Sequence, residues 1–252
     1  MLELNKIHHG DCLELMKDIP DKSIDMILCD LPYGTTRNKW DSIIPLEMLW
    51  EEYTRIIKDN GAIILTAQTP FDKVLGSSNL KLLRYEWIWE KENGTGFLNA
   101  KKMPLKNHEN ILVFYRKLPT YNPQMRIGFS PYKCKQGSGS DNWNYNSEFG
   151  GHISESNGGR YPLSVLKINR DKEKIHPTQK PVTLFEYLIK TYTNEGETVL
   201  DNCIGSGTTA IAALNTGRFF IGIEKEKEYV DVANDRIKAL TTALKGGENI
   251  NE

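Results

Sequence analysis

The stretch VLDNCIGSGTTAIAA, residues 199–213, decides the fold. An apolar run ends at Asp201, a tight Gly205-Ser206-Gly207 turn follows, and an alanine-rich helix begins at Thr208. Glycines at such a turn allow unusual φ values and close backbone approach, and a helix start offers free N–H groups to an anionic or carboxylate-bearing ligand. A phosphate-binding Walker loop would carry a Lys ahead of the Thr pair; none stands here, which disfavours ATP. The glycine order also falls short of the full dinucleotide fingerprint. A purely structural turn would show the same Gly-Ser-Gly.

The next apolar run, Phe219–Glu224, ends in a carboxylate suited to two ribose hydroxyls of a nucleoside cofactor. The other reading of Glu224 is a surface acid in the charged run EKEKE. Asp11 follows a weak N-terminal strand, Lys6–His9; it can take an adenine amino group if that strand lies beside the one ending at Glu224, or it can simply cap a helix.

Working outward, short apolar runs alternate with helical patterns. Strands are expected at 23–29, 62–67, 82–90, 109–115 and Thr198–Asp201. Helices are expected at 12–17, 45–59 (stopped by Gly61), Phe71–Ser78, Val182–Tyr192, Thr208–Asn215 and 227–244. Apolar strands separated by helices predict an α/β fold with a mainly parallel sheet, Rossmann-like and covered by helices on both faces. Between about 117 and 175 the pattern disappears, and 121–159 is rich in Gly, Ser, Asn, Pro and aromatics. This loop-rich insertion sits inside one α/β domain, giving three parts: 1–118, 119–174 and 175–252. Insertions of this size are usually functional or disordered, and the aromatics argue against disorder.

A chain of 252 residues buries enough surface to need no disulfides. Cys12, Cys29, Cys134 and Cys203 form no ligand-spaced pair, so a reducing compartment and no metal are expected. No signal-length apolar stretch or membrane span is evident, and a cytoplasmic location is expected. The formal net charge is -1, yet residues 99–180 hold 14 Lys and Arg against 6 Asp and Glu, a net of +8, leaving -9 for the rest. A basic segment on an acidic body fits a polyanion-binding surface, although lysine-rich loops also serve solubility.

Asp30-Leu31-Pro32-Tyr33 closes the best strand in the chain, where open α/β sheets place their ligands. A carboxylate beside a stiff loop and an aromatic suits a planar substrate bearing an amino group. An exocyclic amine on adenine or cytosine is a poor nucleophile because its lone pair is delocalised into the ring. Two acceptors off the ring plane favour tetrahedral character and free that lone pair, so positioning and electrostatics can supply the rate. A strand-ending turn with a packed tyrosine is the plainer reading.

Taken together, these segments resemble the circularly permuted (beta) class of S-adenosylmethionine-dependent DNA amino-methyltransferases. Asp30-Leu31-Pro32-Tyr33 resembles the family's Asp-Pro-Pro-Tyr; His176-Pro177-Thr178-Gln179-Lys180-Pro181 matches the segment before the cofactor half; Asp201 through Thr209 resembles Asp-Pro-Phe-x-Gly-Ser-Gly-Thr-Thr. The order, catalytic motif first and cofactor glycines last with the insertion between, is diagnostic. The resemblance implies a seven-stranded sheet and S-adenosyl-L-methionine as cofactor. It also implies DNA and a second copy of the chain as partners, and no membrane.

The resemblance further implies that Asp30 and the Leu31 carbonyl, stiffened by Pro32, bind the target amine and that Tyr33 stacks on the flipped base. The cofactor set is Asp11, Asp30, His176, Lys180, Asp201, Cys203, Gly205, Gly207, Thr208 and Glu224. Leu31 stands where Pro is usual, which keeps the acceptor but loosens the loop. Asn202-Cys203 replaces Pro-Phe, removing an aromatic wall, and Cys203 reads as packing. Thr35, Thr36, Asn38, Trp40 and Asp41 belong to the loop that closes near the target.

A base inside a duplex cannot reach a strand-end pocket, so the target is flipped or already unpaired. Lys101, Lys102, Lys106, Lys133, Lys135, Arg160, Lys167 and Arg170 are candidate phosphate contacts, and Arg126, Asn142, Asn144 and Asn146 candidate base readers. Each has a solvent-facing or structural alternative. An initial Asp leans toward adenine N6, with cytosine N4 next. RNA or a glutamine amide fits the permuted order less well. A catalytically silent DNA-binding protein is the remote alternative, opposed by Asp30, Tyr33 and Glu224 together.

Overall fold

The computed structural model describes residues 2–34, 41–135, 153–171 and 179–248. Two compact units divide the chain: Met1–Asn122 with Ser164–Glu252, and Pro123–Leu163.

The larger unit is built on β1 (Lys6–His9), β2 (Ile24–Asp30), β3 (Ile57–Ala67), β4 (Leu83–Thr95) and β5 (Lys106–Phe114) from the first part of the chain. The last part adds β8 (Val165–Lys167), β9 (Thr198–Asp201) and β10 (Phe219–Glu224). These eight strands form one sheet in the order β1-β10-β9-β2-β3-β5-β4-β8. Neighbours are parallel except at β5, which runs antiparallel to both β3 and β4. The sheet is one strand wider than the resemblance implies. β8 lies within the stretch expected as insertion, and its three residues are too few to leave an alternation in the sequence. Ile88 N donates to Ser164 O (2.7 Å) at the start of this added edge.

Side-chain alternation along the strands splits the core in two. Ile27, Cys29 and Leu31 face one layer, packed with Leu49, Trp50 and Tyr53 of α2 (Leu46–Ile56) and Phe71 and Leu75 of α3 (Phe71–Ser78); Cys12, at the start of the short α1 (Cys12–Leu15), joins them. Met26 and Leu28 face the other, packed with Leu184, Phe185 and Leu188 of α4 (Val182–Tyr192) and Ala210, Ala212 and Ala213 of α5 (Thr208–Asn215). The last helix, α6 (Lys227–Glu248), packs on β1, β10 and α5.

The boundary at Gly61 differs from expectation. Gly61 stops no helix: α2 ends at Ile56 and β3 begins at once, with Gly61 inside it. Pairing jumps from Ile24↔Ile57 to Met26↔Ala62, a bulge in which Gly61 lies so close to β2 that a Cβ would sit 2.8 Å from Asp25 O.

The smaller unit carries a hairpin of β6 (Tyr132–Lys135) and β7 (Ile153–Ser156), antiparallel. Arg126 and Arg160 pair backbone to backbone (2.8 and 2.9 Å), so the chain enters and leaves this unit side by side. Phe129 lies under both guanidinium groups (5.2 and 5.4 Å), and Arg160 also covers Tyr132 at 4.5 Å.

Candidate active site

β2 and β9 are neighbours, but the chain leaves β2 toward β3 on one side and β9 toward β10 on the other. Such a switch point opens a crevice at the carboxyl ends of the strands. Asp30 ends β2 and Asp201 ends β9, and one cavity of about 540 Å³ is lined by Asp11, Asp30, Tyr33, Lys180, Gly205 and Glu224 among others. Two stretches far apart in sequence therefore share one cleft.

On the β9–β10 side, Asp201 is buried and organises the turn: its carboxylate accepts from Cys203 N (3.0 Å) and from the Thr209 hydroxyl at the start of α5. Burial pushes its carboxyl up to about 7. Both oxygens serve the turn, so Asp201 holds the loop that faces the cavity, which it also lines. Asn202 points into the core, where Tyr53 Oη donates to it (2.5 Å), so α2 supplies an aromatic near the missing Pro-Phe. Cys203 packs against the core and lines the cavity.

The two glycines do different work. Gly205 has φ +51 and a Cβ there would meet nothing nearer than 4.0 Å, so its open side is the cavity. Gly207, at φ +85, does not line the cavity; a Cβ would lie 2.9 Å from Ala233 Cβ of α6. The expected ligand contact at Gly207 is instead a helix-packing contact. Thr208 lines the cavity and its hydroxyl donates to Lys180 O (3.5 Å).

Glu224 is 8% exposed; Oε2 accepts from Gly205 N and Oε1 from Glu226 N, each at 2.8 Å. Burial raises its carboxyl above the ordinary range. With backbone donors from Gly205, Glu226 and Lys225 on about four acceptor sites, the carboxylate keeps room for a further donor. β1 and β10 are adjacent, with His9 opposite Glu224, which places Asp11 at the same edge. Asp11 both caps α1, accepting from Leu13 N (3.0 Å), and lines the cavity, with Lys225 at 3.5 Å.

On the β2 side the geometry is more closed than expected. Tyr33 Oη donates to Asp30 Oδ1 (2.6 Å), the Thr66 hydroxyl donates to the same oxygen, and Lys180 Nζ donates to Asp30 Oδ2 (2.5 Å). The Tyr33 ring stacks on Phe71 (centroids 5.3 Å, 27°), with Lys180 Nζ 5.6 Å from its centroid. Tyr33 is thus packed by Phe71 and hydrogen-bonded, and it also lines the cavity. Burial, then Asp30, raises its hydroxyl well above the usual tyrosine range. Leu31 is buried in the core and Pro32 lines the cavity.

Lys180 sits at this catalytic corner rather than at the cofactor end. Its ammonium spans Asp30 and Glu109 (3.2 Å), and Glu109 is also bonded by Lys91. Burial opposes the charge of Lys180, but Asp30, Tyr33 and Glu109 outweigh it and hold the ammonium well above the lysine range. Alternation explains the row: Asp30 shares a face with Met26 and Leu28, Thr66 lies opposite Asp30, and Glu109 lies opposite Trp89, one step of alternation from Lys91. Thr66, Lys91 and Glu109 escaped the sequence reading. The signal that could have found two of them is alternation: Lys91 falls on the face of Trp87 and Trp89, and Glu109 on that of Ile111 and Val113.

Asp41 is buried and its Oδ1 accepts from Tyr33 N and Gly34 N (2.8 Å each), fixing the turn after β2. Thr35, Thr36, Asn38, Trp40, Asn142, Asn144, Asn146 and His176 lie outside the described residues.

Among the basic candidates, Lys101, Lys102 and Lys106 stand exposed on the β4–β5 hairpin, with Lys106 Nζ donating to Thr69 O (3.1 Å). Arg160 is engaged inside its own unit, donating to Ser156 Oγ, Gly159 O and Ser130 O (2.7–2.9 Å). Arg126 Nε likewise donates to Tyr161 O (3.0 Å). Lys133 pairs with Glu155 (3.2 Å) on β7, and Lys135 ends β6. Lys167 pairs with Glu90 (3.4 Å), and Arg170 lines the cavity.

Residues 24–235 match the DNA methylase family of N6 and N4 amino-methyltransferases. The chain belongs to that family. It is 32% identical to the type II methyltransferase M.BglII of Bacillus subtilis, across 91% of this chain and 68% of that one. It is 28% identical to the DNA adenine methyltransferase YhdJ of Escherichia coli K12, across 93% and 83%. Among solved structures, the M1.HpyAVI–SAM complex superposes with a TM-score of 0.62 at 26% identity, over 92% of this chain and 98% of that one. PvuII DNA methyltransferase, cytosine-N4-specific, shares the fold at 0.66 and 16% identity, over 90% and 84%.

The protein is therefore a DNA amino-methyltransferase of α/β fold, with S-adenosylmethionine as methyl donor. The cavity fits that donor: its volume is within the range of cofactor sites, Gly205 opens onto it, and Glu224 brings a buried carboxylate with spare acceptors to its edge. Among the described residues no helix is long and apolar enough to cross a membrane, and no group of His, Cys, Asp and Glu is placed to hold a metal ion.

Proposed function

We propose that this DNA methyltransferase acts on the N6 amino group of adenine, with Asp30 as the group that receives the amine. The observation that carries the reading is the shared cleft, in which Asp30 and Glu224 end strands on either side of β9 and line one cavity. S-adenosylmethionine, when bound, supplies an electrophilic methyl group on a sulfonium. Gly205, Thr208, Glu224 and Asp11 would hold it, and Asp201 keeps the glycine turn in shape from below. At the other end Oδ1 of Asp30 is saturated by Tyr33 and Thr66, while Oδ2 has one lone pair left beside Lys180. The target amine meets Oδ2, or displaces the Tyr33 hydroxyl from Oδ1 and frees the ring to stack on the base. Lys180 fixes the carboxylate, and Asp41 fixes the backbone that follows it.

Two things support adenine over cytosine: the initial Asp of the Asp30–Tyr33 motif and the likeness to an enzyme named a DNA adenine methyltransferase. The compact unit Pro123–Leu163 is the candidate for target recognition. Sequencing of methylated positions in the genome of cells expressing the protein tests both. A single short motif carrying N6-methyladenine is expected; a motif carrying N4-methylcytosine overturns the adenine assignment.

A further inference from the structure

β4 runs in the same direction as β2, so the β4–β5 hairpin leaves the sheet at the edge where Asp30 lies. Its stem belongs to the cavity: Lys91 and Thr95 from β4 and Glu109 from β5 line it. Two residues past Thr95 the tip begins, and there Phe97 is 81% and Leu98 98% exposed, with Met103 at 51%. Isolated apolar residues on a surface are ordinary, but adjacent large ones at the end of a projecting hairpin mark a contact.

The tip is preformed. Gly96, at φ +91, opens a 3₁₀ turn over Phe97–Asn99. Asn99 N donates to Gly96 O (2.9 Å), Ala100 N to Phe97 O (3.0 Å) and Lys102 N to Asn99 O (2.8 Å). The Thr95 hydroxyl donates to Lys106 O (3.2 Å) across the stem. Little conformational freedom is left to lose on binding. Residues 93–108 include Lys101, Lys102 and Lys106 and no acidic residue, so the tip's chemistry suits an anion that exposes an apolar interior. A DNA duplex from which a base has been turned out is such a partner, with phosphates outside and an unstacked gap within.

We propose that Phe97 and Leu98 form a wedge that enters the duplex at the place vacated by the target base, with Lys101 and Lys102 on the flanking phosphates. This rests on the DNA methyltransferase reading. The cavity takes the base while the hairpin rising from its wall fills the gap, so the protein replaces part of the lost stacking.

The test compares the unaltered protein with a Phe97→Ser/Leu98→Ser variant on two duplexes carrying the mapped motif, one fully paired and one with the target base opposite an abasic site. Transfer to the paired duplex is expected to fall about ten- to a hundredfold, because stacking is worth a few kcal/mol and each 1.4 kcal/mol is tenfold. Transfer to the abasic-opposed duplex stays within about threefold, since the target is already unpaired. Equal losses on both duplexes, or no loss on either, overturn the wedge. A change from dimer to monomer on sedimentation, with transfer following protein concentration, overturns it in favour of self-association. A Lys101→Gln/Lys102→Gln variant is expected to lower the salt slope of binding by about one per lysine; an unchanged slope contradicts the phosphate contacts. Failure of the unaltered protein to methylate any DNA would instead overturn the activity itself.

Discussion

Asp30 is held by three donors before any substrate arrives, and its neighbours decide what a substitution there would do. Asp30→Ala removes the acceptor for the amine, and methyl transfer is expected to fall about 10²–10³-fold, while cofactor affinity stays near its original value because the Gly205 turn and Glu224 lie on other strands. Single-turnover rates and cofactor titration separate the two; parallel loss of both would show the halves of the cavity wrongly divided. Glu109 is different in kind, a buried carboxylate between two ammonium groups. Glu109→Ala strands Lys91 and Lys180 in a dry environment and is expected to cost about 3–5 kcal/mol of stability, read by denaturant unfolding. Asp201 gives a pH signature. Its folded carboxyl is raised to about 7, so its contribution to stability is full below about pH 4 and is lost as pH rises through about 7. Asp201→Asn is expected to flatten the decline of Tm between pH 5 and 8; parallel curves would contradict the assignment.

At the scale of elements, the glycine turn between β9 and α5 was legible because its chemistry is local. A strand end, three small residues and a helix start can be read without knowing the neighbours. The same signal did not say which glycine faces the ligand, since that depends on α6, some 25 residues further on. Gly207→Ala meets Ala233 and a left-handed backbone together, and is expected to destabilise the fold by about 2 kcal/mol or more. Gly205→Ala meets only the backbone strain, about 1–2 kcal/mol, and its larger effect is expected on cofactor affinity. Calorimetry and cofactor titration on the two variants check the division. The bulge at Gly61 was misread for a related reason: a glycine after a helical pattern looks like a stop until the partner strand is known. Lys91, Thr66 and Glu109 were not read as site residues because each is a polar position on a strand face otherwise given to the core, and only strand order lines them up.

Across the whole molecule, the arrangement of parts was readable from order and charge: a catalytic motif, a basic patternless stretch, then the cofactor turn. The boundaries of the inserted unit were not, because the returning chain immediately adds β8 to the sheet with three residues. The chain enters and leaves this unit side by side at Arg126 and Arg160, so a short linker can join its flanks. Replacing 123–163 by a short Gly/Ser linker is expected to leave a folded protein that binds cofactor and loses sequence preference in DNA; loss of cofactor binding would mean the unit is part of the core. The central claim is that β2 and the β9–β10 pair bring a target amine and a methyl donor into one cleft. Its most direct test is to incubate the purified protein and its Asp30→Ala variant with methyl-labelled S-adenosylmethionine and mixed-sequence duplex DNA, digest to nucleosides and identify the labelled base. Label in N6-methyladenine from the unaltered protein and almost none from the variant is the expected result; label transferred equally by both would contradict the account.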